Sequence, residues 1–279
     1  PPRSTLFPYT TLFRSRTAEV ERFLDSLNKQ TYRNFELVVV DQNEDDRIGE
    51  LLQDYQEYFT IKHVRSEKGL SHARNVGLEA VTGNVVAFPD DDCEYAHDTL
   101  EQAAACFATV DLDGVSGVMY PPERKDEDNN GYCSELIKLN RYNVWVYAIS
   151  TTIFLKTELT KAVGKFDVNL GAGSGTEYGS GEETDFLIRG LDLGYDIRHS
   201  KAIRIYHPAL DFNNSSLPQK SFYYSKGRRY VLEKHRYNWL FIALNIYYPL
   251  VKLIFHIYNV PKVRYFWRQF LGRWEKPTR

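Results

Sequence analysis

A chain of 279 residues, 43% hydrophobic and 26% charged with 17 Gly and 11 Pro, has a globular composition, long enough for one large core or two small ones. The three cysteines, Cys93, Cys106 and Cys133, show no metal-type spacing. An odd count in a chain this long excludes a disulfide framework and reads as reduced thiols of a cytosolic protein. A net charge of −2 hides an uneven spread: from Lys220 onward 13 Lys and Arg face two acids, Glu233 and Glu275, leaving 22 basic and 35 acidic residues before them. An acidic globular part therefore carries a basic tail, and basic tails seek nucleic acid or an anionic membrane leaflet.

The first segment, "TLFPYTTLFRS" (Thr5 to Ser15), reads back through the genetic code as a sequencing-adapter sequence. Residues 1–15 are accordingly expected to be non-native and are set aside from fold reasoning. In "TAEVERFLDSLNKQ", Val20, Phe23, Leu24 and Leu27 recur at helical spacing. "FELVVVD" is a short apolar run rich in β-branched residues, hence a buried strand ending at Asp41. "DDRIGELLQDYQEYF" reads as helix, "TIKHVRS" as strand, and "GLSHARNVGLEAVTG" as a helix stopped by Gly83. "NVVAF" is the next buried strand, and Asp90, Asp91 and Asp92 follow its end. "DTLEQAAACFAT" is helix and "DGVSGVMY" strand.

This alternation predicts an α/β fold, a mainly parallel sheet with helices on both faces. Ligands of such sheets bind beyond the carboxyl ends of the strands, and Asp41 and the Asp90–Asp92 cluster both occupy such ends. Residues 121–149 read as a polar excursion, "VWVYAISTTIFLK" as strand, and "DIRHSKAIRIYHP" as strand ending at His207. Between them lies a segment with five glycines from Gly171 to Gly181, expected to form a loop that closes over a ligand.

On chemistry alone the aspartates are either a solvated turn, one acid capping the next helix, or ligands of a divalent cation. A cation would offset the repulsion between neighbouring carboxylates. The order of "LDSLNKQTYRNFE", "ELVVVDQN", "GLSHARNVGL", "FPDDD", "GSGEETDFLIR" and "YHP" resembles family-2 glycosyltransferases with the GT-A fold, over most of residues 17–210.

The resemblance implies a nucleotide-diphospho-sugar donor and Mn2+ or Mg2+. It matches Asp90 and Asp92 to the Asp-x-Asp motif, with Asp90 toward the ribose, Asp92 on the metal and Asp91 the spacer. It matches Asp41 to the acid that meets the base, Arg74 to a basic residue at the diphosphate, and His207 to a further metal ligand. A histidine beside two carboxylates suits Mn2+ better than Mg2+. Glu183 is matched to the catalytic base, although the motif here reads Glu182-Glu183 where an aspartate usually comes first. Glu182 and Asp185 remain rivals, and acids in a first helical turn also favour the helix dipole without any chemistry. The family's first strand would fall just before Thr17.

In "WLFIALNIYYPLVKLIFHIYNV", Asn245, Pro249, Lys252, His256 and Asn259 form one polar stripe on a wide apolar helix. Such a helix either lies in a membrane interface or caps the domain. Lys226, Arg228, Arg229, Lys262, Arg264 and Arg268 are expected to face anionic headgroups, with Trp239, Trp267 and Trp274 at the boundary.

The expected organisation is a non-native segment 1–15, a GT-A domain 16–218 and a basic amphipathic tail 219–279. The expected activity is metal-dependent inverting glycosyl transfer to a saccharide or lipid-linked saccharide of a bacterial surface polysaccharide. It would take place on the cytoplasmic side, with peripheral membrane contact and no nucleic acid. The alternatives are a sugar-phosphate nucleotidyltransferase and an inactive binding domain.

Overall fold

A computed structural model describes residues 17–125 and 135–277. The segment 1–15, the strand expected before Thr17 and Cys133 lie outside the described residues. In chain order the elements are α1 (Thr17–Asn28), β1 (Glu36–Asp41), α2 (Arg47–Gln53), β2 (Thr60–Arg65), α3 (Leu70–Ala80), β3 (Val85–Ala87), β4 (Glu94–Tyr95), α4 (Thr99–Thr109) and β5 (Gly114–Tyr120). There follow β6 (Leu136–Lys138), α5 (Val144–Tyr147), β7 (Ile153–Lys156), α6 (Thr157–Val163), α7 (Glu182–Asp192), β8 (Ile197–Tyr206), α8 (Leu217–Lys234), α9 (Trp239–Phe255) and α10 (Val260–Trp274).

Among the described residues β1 and β2 pair in parallel, and a second sheet runs β3-β7-β5-β8-β4, with β6 on β8. The α/β class holds, but the pairing is mixed rather than mainly parallel. In the larger sheet only β5 and β8 run parallel; β7 lies antiparallel to both β3 and β5. The reason is the connection. The chain reaches β7 through α5 and a short 3-10 turn, not through a long crossover helix, and antiparallel neighbours need no crossover.

That approach also corrects "VWVYAISTTIFLK", whose first half is not strand. The side-chain oxygen of Asn140 accepts the backbone N–H groups of Tyr142 and Asn143, and Asn143 returns the bond to the N–H of Asn140. This Asx turn starts a helical turn where β propensity predicts a strand. Likewise α3 stops at Ala80, before Gly83, because Val81 is extended and Glu36 accepts the Thr82 N–H at 2.7 Å.

Among the described residues two large cores, and a small third cluster of Val38, Val40 and Ala73, pack on the sheets. In one, Val20, Phe23, Leu24 and Leu27 of α1 pack with Leu37 and Val39 of β1 and Leu100 of α4. In the other, Val86, Leu155, Phe186 and Leu187 pack with Val231 and Leu232 of α8. The tail therefore starts inside the domain core. Two glycines permit its close approach: a Cβ on Gly227 would stand 2.1 Å from the Ser180 carbonyl oxygen, and one on Gly272 2.3 Å from that of Phe222. Cys93 is a buried free thiol, whereas Cys106 is disulfide-bonded, so the expectation of reduced thiols fails at Cys106.

The stretch from Trp239 to Val260 is two elements, not one helix. Helix α9 ends at Phe255, and Asn259 caps α10 by accepting the Lys262 N–H at 3.1 Å. Asn245 and Pro249 of the polar stripe are buried against the protein. The apolar residues Trp239 (78% exposed), Leu244 (61%), Ile254 (67%) and Phe255 (80%) face outward. Lys226 is not a surface cation, since it is buried and salt-bridged to Glu177 and Glu275 at 2.7 Å each. Arg229 is buried and paired with Glu233. Among the described residues no helix is long and apolar enough to cross a membrane.

Candidate active site

The turn after β3 presents Asp90, Asp91 and Asp92. Strand β4 follows at once and pairs antiparallel with the end of β8, Glu94 opposite Tyr206. This register sets His207, the next residue on β8's path, beside Asp92, with Nε2 3.1 Å from Asp92 Oδ1. One donor atom from each of Asp90, Asp92 and His207 lies within 4.8 Å of the others. His207 Nδ1 stands 2.8 Å from the Pro208 carbonyl and donates to it in the tautomer that leaves the Nε2 lone pair facing the aspartates. That is the usual way a protein orients a ligating imidazole.

The hydrogen bond to Asp92 raises the His207 pKa against the opposing effect of burial. Burial, and then the charge of Asp92, raise that of Asp90, although Arg74 pulls the other way. Two carboxylate oxygens and one imidazole nitrogen, gathered this closely, fit a divalent cation of the Mn2+ type. Asp91, the spacer, is itself buried.

Arg74 of α3 is fully buried, with its guanidinium carbon 5.5 Å from the centre of the Phe166 ring. It donates to Glu182 Oε1 at 2.8 Å and to the Ser150 hydroxyl, and its Nη2 lies 3.9 Å from Asp90 Oδ1. It thus links the aspartate turn to the N-terminus of α7. In this position it is a bridge between two acidic motifs, whereas the resemblance implies contact with a diphosphate. Ser150 was not singled out by sequence; nothing in its neighbourhood marks it.

The three candidate acids of α7 have different surroundings. Glu182 is buried and held by Arg74. Asp185 is fully buried and turned away, 2.8 Å from Lys234, 2.8 Å from His235 and 3.0 Å from Arg189. Burial alone would raise its pKa, but hydrogen bonds from His235 and Lys234 and the charge of Arg189 bring it down to about 2. Glu183 lines a cavity of about 200 Å³ bounded also by Trp145, Tyr224, Arg228 and Arg273. Burial, reinforced by the charge of Glu182, pushes its carboxyl up to about 8. Of the three, Glu183 has the proton affinity and the open space that proton exchange at neutral pH requires.

Asp41, at the end of β1, is buried; Oδ1 accepts both N–H groups of Asn43 at 2.8 Å and Oδ2 lies 3.1 Å from His63. The glycine segment is anchored at both ends. The Ala172 carbonyl accepts from Leu70 N at 2.9 Å, and the Ser180 hydroxyl donates to the Tyr224 carbonyl at 2.9 Å. Gly171 and Gly181 both take φ +98°, a conformation that a side chain would strain. A Cβ on Gly171 would also stand 3.1 Å from Glu182 Oε2, so this glycine lets the loop pass over the acid.

The profile described as "Glycosyl transferase family 2" matches residues 12–161, just over half of the chain. Glycosyltransferase AglE of Haloferax volcanii is 27% identical over 222 residues, 75% of this chain and 68% of its own. A glucosyl-dolichyl phosphate glucuronosyltransferase of the same organism is 27% identical over 229 residues, 74% of this chain and 70% of its own. Several other curated glycosyltransferases match over shorter stretches, in which the chain spans 39% or less of their length.

Mannosyltransferase PcManGT from Pyrobaculum calidifontis, solved in complex with GDP-Man and Mn2+, superposes with TM-score 0.66 at 17% identity, over 98% of this chain and 85% of its own. At that identity the likeness establishes the fold alone, a GT-A arrangement. The profile match over residues 12–161, with glycosyltransferase relatives spanning three quarters of the chain, shows that this chain belongs to glycosyl transferase family 2 and is a glycosyltransferase.

Proposed function

We propose that the cleft transfers a glycosyl group from a nucleoside-diphospho-sugar to an acceptor hydroxyl, with inversion, in a cation-dependent reaction. The observation that carries this reading is the convergence of Asp90, Asp92 and His207 on one side of Arg74 and of Glu182 and Glu183 on the other. Asp90, Asp92 and His207 would hold the cation, which when bound supplies positive charge for the departing diphosphate. Arg74 fixes the spacing between the two acidic groups. Glu183 takes the proton of the acceptor hydroxyl as the oxygen attacks the anomeric carbon. A single displacement inverts that centre. Asp41, Asp90 and Asp91 remain the proposed nucleotide contacts, and Glu182 and Asp185 act as supports.

Calorimetric titration of Mn2+ into the chain tests the cation site. Wild type should bind, and Asp92→Asn and His207→Ala, each removing one of three direct ligands, should each weaken binding strongly or abolish it. Equal affinity in the variants would remove the site. Proton NMR of the fresh product should show the inverted anomer; retention would remove the single displacement.

The acceptor we propose is a lipid-linked saccharide, of the kind that builds surface polysaccharides, met at the cytoplasmic leaflet. The support is the outward apolar face of α9, and the absence of any acid from Trp239 to Trp274, where Lys252, Lys262 and Arg264 occur. One relative's name specifies a glucosyl-dolichyl phosphate. Co-sedimentation with phosphatidylglycerol vesicles, compared with phosphatidylcholine, tests it. Binding should prefer the anionic vesicles and fall in Trp239→Ser/Phe255→Ser; no binding to either vesicle would refute it.

A further inference from the structure

Two cations line the Glu183 cavity without a salt-bridge contact of their own among the described residues. Arg228 comes from α8 and Arg273 from α10, and both line the same cavity of about 200 Å³. Their cationic neighbours are matched: Lys226 with Glu177 and Glu275, Arg229 with Glu233, Lys234 with Asp167 and Asp185. Among the described residues neither Arg228 nor Arg273 has a carboxylate within ion-pair distance.

What holds them is neutral. Arg228 donates Nε to Asn245 Oδ1 at 2.9 Å, and its guanidinium carbon sits 4.4 Å from the centre of the Trp145 ring. Arg273 donates Nη1 to the Asn245 carbonyl at 2.8 Å, while its buried Nε has no hydrogen-bond partner. Asn245 thus orients both guanidinium groups and neutralises neither. Burial, and for Arg228 the charge of Arg273, press the two down to about 9 and about 10, still cationic at neutral pH. Glu183 is the one acid among the cavity's lining residues. Its charge raises the Arg228 pKa, but it makes no ion pair with either arginine and its own carboxyl is raised to about 8, so the two like charges stay costly unless an anion arrives with a ligand.

We infer that Arg228 and Arg273 form a phosphate subsite that holds an anionic group of the acceptor beside Glu183. A dianion is the natural match to two guanidinium forks, each able to make paired N–H···O bonds to phosphate oxygens. The cavity walls place this subsite on the acceptor side. They include Glu183 but not Asp41, Asp90, Asp92 or His207, so the donor's diphosphate has its own cradle elsewhere. The inference rests on the proposal that Glu183 faces the acceptor. It narrows the acceptor to a phosphorylated one, whether a prenyl-linked phosphate or a soluble sugar phosphate.

The test titrates the full chain, with chelator and no metal, against inorganic phosphate, glucose 1-phosphate, citronellyl phosphate and the uncharged citronellol. The three phosphates should bind and citronellol should not. Arg228→Gln and Arg273→Gln should each lower phosphate affinity about 10-fold or more, with Arg228→Lys in between. Tightest binding of citronellyl phosphate assigns a lipid source, and tightest binding of glucose 1-phosphate a soluble one. Affinity for nucleoside diphosphate with Mn2+, measured on the same variants, should be unchanged, and thermal melts report that they are folded. The inference is overturned if no phosphate binds, if the variants bind phosphate like wild type, or if nucleoside diphosphate affinity falls instead. Loss of nucleoside diphosphate binding in wild type would strike the proposed function itself, not the subsite.

Discussion

Replacing Glu183 by Gln keeps the size and shape of the side chain and removes its ability to accept a proton. With the carboxyl raised to about 8, about a tenth of the chains carry an ionised Glu183 at pH 7 and half at pH 8. Wild-type turnover should therefore rise about fivefold across that unit of pH and level off above it. Glu183→Gln should lower turnover by about 10²–10⁴-fold and abolish the pH-dependent limb while leaving nucleotide affinity unchanged.

The same carboxyl links to stability. Its folded pKa lies above its unfolded value, so its contribution is fully present below about pH 4.5 and is lost as pH rises through about 8. Glu183→Gln lacks that slope. Its Tm should gain on wild type between pH 5 and pH 8. The assay is initial-rate kinetics from pH 6 to 9 beside thermal melts at the same values. A flat wild-type profile, or the kinetic loss appearing in Glu182→Gln and not in Glu183→Gln, would refute the assignment.

Further outcomes follow from the same contacts. Arg74→Met leaves Glu182 and Asp90 without their shared cation, and urea unfolding should show a loss of roughly 3–5 kcal/mol; a neutral result would mean the bridge is not formed. Asp91→Ala should leave Mn2+ affinity close to wild type and lower Tm, since its side chain is buried in the turn, whereas Asp92→Asn should do the reverse. Gly227→Ala brings a methyl within 2.1 Å of the Ser180 carbonyl and should cost roughly 1–3 kcal/mol in the same unfolding assay, separating α8 from the domain.

The local pattern was legible where one periodicity governed one element. Val20, Phe23, Leu24 and Leu27 share a helix face and are all buried, and Glu36–Asp41 is buried on both faces as its continuous apolar run requires. The meeting of Asp92 with His207 depends on the pairing of β4 with β8. No spacing encodes that pairing, so only the family resemblance brought them together beforehand. In α9 the periodicity identified which residues share a face but not which way the face points. Only the first part of the polar stripe, Asn245 and Pro249, turns inward, where Asn245 meets Arg228 and Arg273, a long-range demand that hydropathy along one helix does not contain. The same blindness hid the cavity, since Arg228 read as a surface charge and Arg273 drew no reading at all until α8 and α10 are packed side by side. Asp185 was a rival to Glu183 in sequence, and what separates them is the fold: Asp185 is fully buried among Arg189, Lys234 and His235, whereas Glu183 lines a cavity.

The central claim is a cation-dependent glycosyl transfer at the Asp90–Asp92–His207 and Glu183 cleft. Its most direct measurement is product release from a panel of nucleotide sugars with Mn2+, read by chromatography that separates nucleoside diphosphate from pyrophosphate. Nucleoside diphosphate should appear with at least one donor, vanish with chelator and vanish in Asp92→Asn. Release of pyrophosphate in its place, or nucleoside diphosphate formed equally by Asp92→Asn, would contradict the account.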